Sequence, residues 1–214
     1  MSAALQQSDR RLIAVVDNLT SEAAAVAGRH LACRSGCTPC CFGPFAITPL
    51  DAWRLRQGLD ALGTTEPARV TAIRQRARAA VVEQAGAFSP DRVGTFADEA
   101  EEARFYTAFA AAPCPALDPN SGACMVYDWR PVVCRTHGPP LRERDGDVAH
   151  CPLCFTDATP SEVDAARTTL DVADMEAPLA DQVADETGWR GMTTVTFAIA
   201  DSSTVRRAGA HQTA

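Results

Sequence analysis

Residues 33–41 read CRSGCTPCC, so four cysteines fall within nine residues in the pattern C-x3-C-x2-C-C. Gly36 and Pro39 interrupt this stretch, and Gly43 and Pro44 follow it, a density of turn residues that disfavours a helix or a strand. Cysteines separated by two or three residues on a loop can wrap several sulfurs around one metal. The stretch therefore predicts a metal-binding loop, around which the rest of the fold is organised.

A second irregular segment, residues 113–155, contains seven prolines and three glycines together with the other five cysteines. Such a long irregular stretch in a compact domain needs something besides a hydrophobic core to organise it, and a metal would do so. Its last two cysteines form a separate C-x2-C chelate. The predicted metal ligands are all nine cysteines: Cys33, Cys37, Cys40, Cys41, Cys114, Cys124, Cys134, Cys151 and Cys154.

Burial as small hydrophobic residues is the alternative explanation for these cysteines, because free cysteine is among the most buried residue types. The Gly- and Pro-rich surroundings argue against it for the set as a whole. It is strongest for Cys41, since neighbours such as Cys40 and Cys41 seldom bind the same metal atom. A single catalytic cysteine is a further alternative, but it leaves eight thiols unexplained.

The composition narrows the chemistry further. All 20 basic side chains are Arg, so mechanisms that need a Lys amine, including Schiff-base and P-loop chemistry, are excluded. A net charge of -7 argues against nucleic acid and anionic membranes as partners. An odd number of cysteines and a polar N-terminus without a secretion signal favour the reducing cytoplasm, where disulfides are rare. We therefore expect a cytoplasmic protein.

Hydrophobic periodicity predicts a mainly α protein, a small single-domain helical fold with two long irregular cysteine-bearing loops organised around a metal centre. Residues 1–202 are expected to form the domain and residues 203–214 a flexible tail. The predicted helices cover residues 5–31, in one or two pieces that meet near Asp17, and residues 49–62, 66–84, 97–111 and 159–176. Residues 192–200 form either a strand or a helix.

Three arginines stand close to predicted ligands, since Arg34 follows Cys33, Arg135 follows Cys134, and Arg130 lies four residues before Cys134. A cluster or zinc ion bound by four thiolates is negatively charged, and a guanidinium can offset that charge. We therefore predict Arg34, Arg130 and Arg135 as cofactor-binding residues. Three histidines also lie within three residues of a cysteine, and a hydrogen-bonded or solvated role is favoured over ligation for them: His30, His137 and His150.

Two blocks of sequence carry a resemblance to a known family. The first is residues 33–41 with the following Gly43-Pro44-Phe45. The second is Cys114-Pro115-Ala116-Leu117, then Gly122-Ala123-Cys124, Tyr127, Arg130-Pro131 and Cys134-Arg135. Both blocks resemble the YkgJ-type CxxCxxCC cysteine-cluster family, to which zinc or iron chelation is ascribed, although the first spacing is one residue wider than the family name suggests.

The resemblance implies metal binding, and it marks as ligands Cys33, Cys37, Cys40, Cys41, Cys114, Cys124 and Cys134. Cys151 and Cys154 join this set from their spacing alone. The metal is either an iron-sulfur cluster or zinc, because both accept sets of four thiolates. Eight thiols would serve two 4Fe-4S clusters, whereas four to six would serve one centre. Irregular spacing and ligands from distant segments favour iron-sulfur.

The predicted function is that of a metal-binding cysteine-cluster protein with a redox or structural role. One alternative is a metal-dependent enzyme acting on a protein or a small molecule, with Arg34 or Arg135 orienting an anionic group. A distant resemblance to an iron-sulfur flagellin lysine methylase of bacteria supports that alternative, although the chain shows no S-adenosylmethionine motif. Another alternative is a carrier that hands metal to a protein partner.

Overall fold

The computed structural model of the chain describes residues 2–144, 146–200 and 205, with Pro90 described by its backbone alone. Helix accounts for 59% and strand for 7%, which confirms the predicted mainly α class. The helices are α1 (Ala3–Ala27), α2 (Pro49–Thr65), α3 (Pro67–Gln84), α4 (Glu99–Ala108), α5 (Val132–Thr136), α6 (Pro160–Ala165), α7 (Ala173–Thr187) and α8 (Val195–Ile199). The strands are β1 (Leu141–Glu143), β2 (Gly146–Val148) and β3 (Thr168–Thr169). Every helix in the described part of the chain is too short or too polar to cross a bilayer.

The chain divides into two compact units. The first unit consists of Met1–Ser35 and Val132–Gln182, and the second consists of Gly36–Pro131 and Val183–Ala214. Each unit therefore combines two stretches that are distant in sequence. The single domain over residues 1–202 stays a prediction, and so does the flexible tail over residues 203–214, of which only residue 205 is described.

Helices α2, α3 and α8 build the core of the second unit. Thr48 caps α2 by accepting a hydrogen bond from the backbone N–H of Asp51 (3.2 Å), and Pro49 occupies the first turn, where its missing N–H costs nothing. Burying one Leu or Ile side chain contributes roughly 1.5–3 kcal/mol. The buried apolar side chains of α2 and α3 include Leu55, Leu59, Leu62, Val70, Ile73 and Val81.

Aromatic rings that pack against one another form part of the same core. The ring of Phe88 lies 5.2 Å from that of Phe96, 4.9 Å from that of Phe105 in α4, and 5.1 Å from that of Phe197 in α8, between ring centroids. Backbone hydrogen bonds of 2.8 and 3.1 Å between Ile47 and Thr193 hold the segment before α8 beside the segment before α2. The second unit is thus a helical core closed by aromatic contacts.

The first unit has a smaller core and a small sheet. Helix α1 buries Leu5, Leu12 and Val16 on one face. Strand β1 pairs antiparallel with β2 and parallel with β3, which gives the sheet order β2-β1-β3. Helix α6 begins with a capping box, in which the Thr159 side chain accepts the N–H of Glu162 while the Glu162 carboxylate accepts the N–H of Thr159. These elements surround the cysteines of the unit.

The predicted helices at residues 49–62 and 66–84 are confirmed as α2 and α3, and the one at 97–111 is a shorter helix, α4. The N-terminal helix is unbroken near Asp17, since the Thr20 hydroxyl bonds back to the Val16 carbonyl (2.7 Å) within the helix. Residues 192–200 adopt both predicted states, because Thr193 pairs with Ile47 in a β-bridge and α8 follows.

The helix predicted over residues 159–176 is wrong in its extent. Helix α6 ends at Ala165 and α7 begins at Ala173, because the residues between them include β3, which pairs with β1. The β1–β2 hairpin itself lies in the segment predicted to be irregular. Both errors concern strands of two or three residues, which are too short to leave an alternating pattern.

Trp129 lies directly against α2 at Gly58. A Cβ built on Gly58 would lie 2.7 Å from the Trp129 Cβ and closer still to the indole ring, so a side chain does not fit there. Gly63, one and a half turns further along the same helix, has no atom within 4 Å of such a Cβ. Gly58 therefore fixes the position of the Tyr127–Trp129 turn on the helix.

We expect Gly58→Ala to lower the free energy of unfolding by about 1–3 kcal/mol, because the added methyl group overpacks the contact with Trp129. Gly63→Ala is the matched control, and it should be neutral or stabilising by about 0.5–1 kcal/mol, since Ala is the better helix former. Urea denaturation followed by circular dichroism measures both. Equal effects of the two substitutions would contradict the contact.

Candidate metal centre

The second unit contains five of the nine cysteines, carried by two loops: Cys37, Cys40, Cys41, Cys114 and Cys124. The first loop includes a 3-10 turn, Pro39–Cys41, in which the N–H of Cys41 donates to the Thr38 carbonyl (2.7 Å). This turn presents the side chains of Cys40 and Cys41 next to each other. The predicted loop character of the first cysteine stretch is therefore correct.

Backbone pairing holds Cys114 beside the first cysteine loop. The N–H of Cys114 donates to the carbonyl of Cys41 (2.8 Å), and the N–H of Gly43 donates to the carbonyl of Ala112 (2.9 Å). Phe42 and Pro113 face each other in an antiparallel bridge between these two bonds. Cys114 thus lies beside Cys41, although the two cysteines are more than 70 positions apart in the sequence.

A tight turn brings Cys124 back toward Cys114. Leu117 and Cys124 form an antiparallel bridge, and the N–H of Met125 donates to the Ala116 carbonyl (2.8 Å). The turn is made by Gly122, whose φ of +70° lies in the left-handed region that favours glycine. Both cysteines therefore lie on paired segments of one hairpin-like loop.

Cys37 lies next to the same turn. A Cβ on Gly122 would lie 3.0 Å from the Thr38 methyl group and 3.2 Å from the Gly36 carbonyl oxygen. The residues on either side of Cys37 are therefore packed against the turn that leads to Cys124. All five cysteines of the second unit lie on segments in mutual contact.

The thiols of the second unit influence one another electrostatically. The pKa of Cys40 is lowered, first by a hydrogen bond from the Cys41 side chain, and the Arg130 guanidinium contributes to the shift. The pKa of Cys41 is raised, first by that same hydrogen bond, then by burial and by the sulfurs of Cys40, Cys114 and Cys124. The hydrogen bond from the Cys41 thiol therefore favours the thiolate form of Cys40.

Burial is the main influence on the protonation of Cys114 and Cys124. It raises the pKa of Cys114 to about 12, with a further contribution from the neighbouring Cys124 sulfur. Burial also raises the pKa of Cys124, which Arg130 and Arg69 partly oppose. Without a cation, the buried thiols remain protonated, because desolvation penalises the charged form.

The first unit contains the remaining four cysteines: Cys33, Cys134, Cys151 and Cys154. Cys151 and Cys154 are buried, with 5% and 1% of their surface exposed, in a small apolar cluster with Ala27, Phe155 and Ala166. The N–H of Ala32 donates to the Cys154 sulfur (3.4 Å). Ala32, the residue before Cys33, is thus hydrogen-bonded to Cys154.

All nine cysteines lie in the described part of the chain, and none of them forms a disulfide. Among the described residues, no three or more Cys, His, Asp or Glu side chains already stand in the arrangement that holds a metal ion. The donor set nevertheless fits zinc or an iron-sulfur cluster, since both take soft thiolate ligands and each unit holds at least four.

The three arginines predicted to bind the cofactor have different surroundings. Arg130 stacks its guanidinium over the Tyr127 ring at 3.6 Å, and its charge acts on Cys40 and Cys124. Arg135, in the first unit, donates two hydrogen bonds to the Asp17 carboxylate (2.7 and 2.9 Å). Arg34 lies exposed and donates to the Ala32 carbonyl (3.4 Å). Arg130 therefore favours the thiolate form at two cysteines of the second unit.

Two arginines that the sequence analysis did not single out also act on the second unit's sulfurs. Arg76 donates to the Pro115 carbonyl through Nε (2.9 Å) and to the Met125 sulfur through a terminal nitrogen (2.9 Å), and its charge favours the thiolate of Cys114. Arg69 acts on Cys124. Their spacing of seven residues places both on one face of α3, which is the signal that could have identified them.

The histidines pack beside the first unit's cysteines. His30 stacks on Phe155 at 5.2 Å between ring centroids, and His150 lies 5.2 Å from the same ring at a tilt. Burial lowers the pKa of His137. Ligation by these residues was not predicted, and their aromatic contacts account for the positions of His30 and His150.

A helical chain with thiols gathered on paired loops is typical of a protein that binds metal through cysteine. The sequence model of the CxxCxxCC family, described as "Putative zinc- or iron-chelating domain", matches residues 32–154, which is more than half of the chain. The chain belongs to this family. No curated protein and no solved structure matches it.

We expect Arg76→Gln to weaken Zn²⁺ affinity by about 10-fold or more, because Arg76 positions the loop between Cys114 and Met125 and residues that support ligands commonly contribute that much. Competition with a chromophoric chelator measures the change. Arg78→Gln removes an exposed guanidinium from the same helix and should leave affinity within about twofold of the unsubstituted chain. Similar losses in both variants would assign the effect to net charge alone.

Proposed function

We propose that this protein binds metal through its clustered thiolates, as an iron-sulfur cluster or as zinc, and that the centre has a structural or redox role. The observation that supports this most is the mutual influence of four sulfurs carried by three segments: Cys40, Cys41, Cys114 and Cys124. Membership of a family described by zinc or iron chelation supports the same proposal. The cytoplasmic location is part of it.

Iron-sulfur is the form we favour. The adjacent pair Cys40 and Cys41 suits a cluster better than a single ion, since a cluster offers separate iron atoms to neighbouring residues. Cys114 and Cys124 come from a distant segment and would complete a set of four. Zinc is the alternative form, for which Cys37 and Cys40 supply the C-x2-C chelate and Cys41 the hydrogen bond to Cys40.

A metal carrier is the second candidate, because Cys33 and Cys40 are exposed thiols. Transfer of metal to a protein partner requires ligands that the partner can reach. A carrier would exchange its metal readily with a strong chelator under native conditions, whereas a structural or redox centre would retain it.

Removal of the metal should loosen the paired cysteine loops, because metal binding and local folding are one equilibrium in such segments. We expect the amides of Cys114, Leu117 and Met125, which bond to Cys41, Cys114 and Ala116, to exchange hydrogen at least about 10-fold faster in metal-free protein. Amide-resolved hydrogen exchange with and without a chelator measures this.

The internal control is the core of α2 and α3, whose amides at Leu59 and Ile73 lie in buried helix and should keep most of their protection. Unchanged exchange at Cys114, Leu117 and Met125 after complete metal removal would contradict a structural centre in the second unit. Equal acceleration across the α2 and α3 amides would indicate global unfolding instead of release of the loops.

A further inference from the structure

Four cysteines lie in the first unit, which is the number that one tetrahedral thiolate centre needs. Two of them form the Cys151-Pro152-Leu153-Cys154 chelate, which is buried at both sulfur-bearing residues. Buried thiols on an irregular, proline-containing turn are poorly explained by packing alone. Their surroundings show how the other ligands could join them.

Gly138 joins Cys33 to this chelate. A Cβ built on Gly138 would lie 2.9 Å from the Cys33 sulfur, and the Gly138 carbonyl accepts a hydrogen bond from the N–H of Cys151 (3.0 Å). The residue also has a φ of +139°, a conformation that side chains disfavour. Glycine at this position thus lets Cys33 and Cys151 approach the same backbone.

Two hydrogen bonds connect Cys154 to Ala32, the neighbour of Cys33, and to Cys151. Its sulfur accepts the N–H of Ala32 (3.4 Å), a contact of the kind that backbone amides make to metal-bound sulfurs, where they tune the centre. Its own N–H donates to the Cys151 carbonyl (2.8 Å), which closes the chelate into a tight turn. Cys33, Cys151 and Cys154 are therefore connected through Ala32 and Gly138.

The backbone immediately after the chelate is strained. Phe155 has a φ of +58°, the only positive value among non-glycine residues in the described part of the chain. Such a conformation is unfavourable for a residue with a side chain and is common beside ligand sites. The N–H of Phe155 donates to the His30 carbonyl (2.8 Å), which holds the chelate against the segment leading to Cys33.

Cys134 supplies the fourth sulfur. It lies in α5, which ends at Thr136, two residues before Gly138. The helix is anchored by buried Val132 and by the ion pair of Arg135 with Asp17 in α1 (2.7 Å). Cys134 is four residues from Gly138 in sequence and belongs to the same unit, so it is the remaining cysteine that can complete the set.

A cleft lies beside the chelate. It has a volume of about 200 Å³, and its lining includes Ala32, Leu153 and Phe155. Access from solvent is a requirement of a metal site, because the ion must reach its ligands. The cleft lies next to both the Ala32 amide and the chelate.

We propose that Cys33, Cys134, Cys151 and Cys154 form a second metal centre with its own ligand set, so that the chain binds two metal centres. This inference rests on the proposed function, since it assumes that the chain binds metal through thiolates. It adds that the nine cysteines divide four and five between the two units.

Anaerobic titration of the metal-free full chain with Co²⁺ tests this, followed by the sulfur-to-cobalt absorption bands. We expect saturation at two Co²⁺ per chain. The double variant Cys151→Ser/Cys154→Ser and the matched double variant Cys114→Ser/Cys124→Ser should each bind one, a twofold loss, and the variant that combines all four substitutions should bind none.

Other stoichiometries separate the two proposals. One Co²⁺ per chain that survives in Cys151→Ser/Cys154→Ser and is lost in Cys114→Ser/Cys124→Ser would overturn the second centre and leave the proposed function standing. One Co²⁺ lost in either variant would mean a single centre made from both sets, which also overturns the inference. No Co²⁺ bound, together with no cluster formed on anaerobic reconstitution with Fe²⁺ and sulfide, would overturn the proposed function itself.

A measurement on the unsubstituted chain covers variants that fail to fold. The protein loaded with ¹¹³Cd²⁺ should give two cadmium resonances of equal intensity, both in the range of coordination by four sulfurs. A single resonance at saturation would contradict two centres whatever the variants do.

Discussion

Repulsion among neighbouring sulfurs is the constraint on which the second unit depends. The pKa of Cys41 is raised first by its hydrogen bond to Cys40 and by burial, and the sulfurs of Cys40, Cys114 and Cys124 raise it further, so a charge on every sulfur is disfavoured unless a cation lies among them. Burial adds to the constraint at Cys114, because it raises the pKa of that thiol to about 12 despite the opposing charge of Arg76. A metal ion would displace the thiol protons, and its positive charge would attract the thiolates that otherwise repel one another.

The helical core of the second unit supports the cysteine loops. Helices α2 and α3 form independently of the cysteines through their own apolar faces, and the aromatic contacts of Phe88 close the core. Arg76 extends from α3 to the Pro115 carbonyl, and Trp129 packs on Gly58 of α2. The cysteine loops are thus attached to the helical core at several points, which limits how far their sulfurs can separate.

Local patterns in the sequence predict the helices and the loop character of the cysteine stretches. Thr48 and Pro49 mark the start of α2, and the CRSGCTPCC stretch marks a loop with closely spaced thiols. Such patterns do not predict how the cysteines are divided between the two units. Cys33 and Cys37 are four positions apart yet belong to different units, because unit membership depends on long-range contacts. Spacing alone carries no information about those contacts.

The pairing of Cys41 with Cys114 was unpredictable for the same reason. It depends on one backbone hydrogen bond of 2.8 Å between irregular segments, and neither segment has a periodic signal. Short strands such as β3 escaped prediction because two residues cannot display alternation. Arg69 and Arg76 could have been recognised from their shared helical face, but only once α3 was known to lie beside the cysteine loops.

The most direct test of metal binding is the iron, zinc and acid-labile sulfide content of protein purified without oxygen, read together with its visible absorption spectrum. The account predicts stoichiometric metal: iron with matching sulfide and a brown chromophore for the favoured cluster, or colourless protein with zinc for the alternative. A folded chain that carries neither metal, has nine titratable thiols and gains no metal on reconstitution would contradict it.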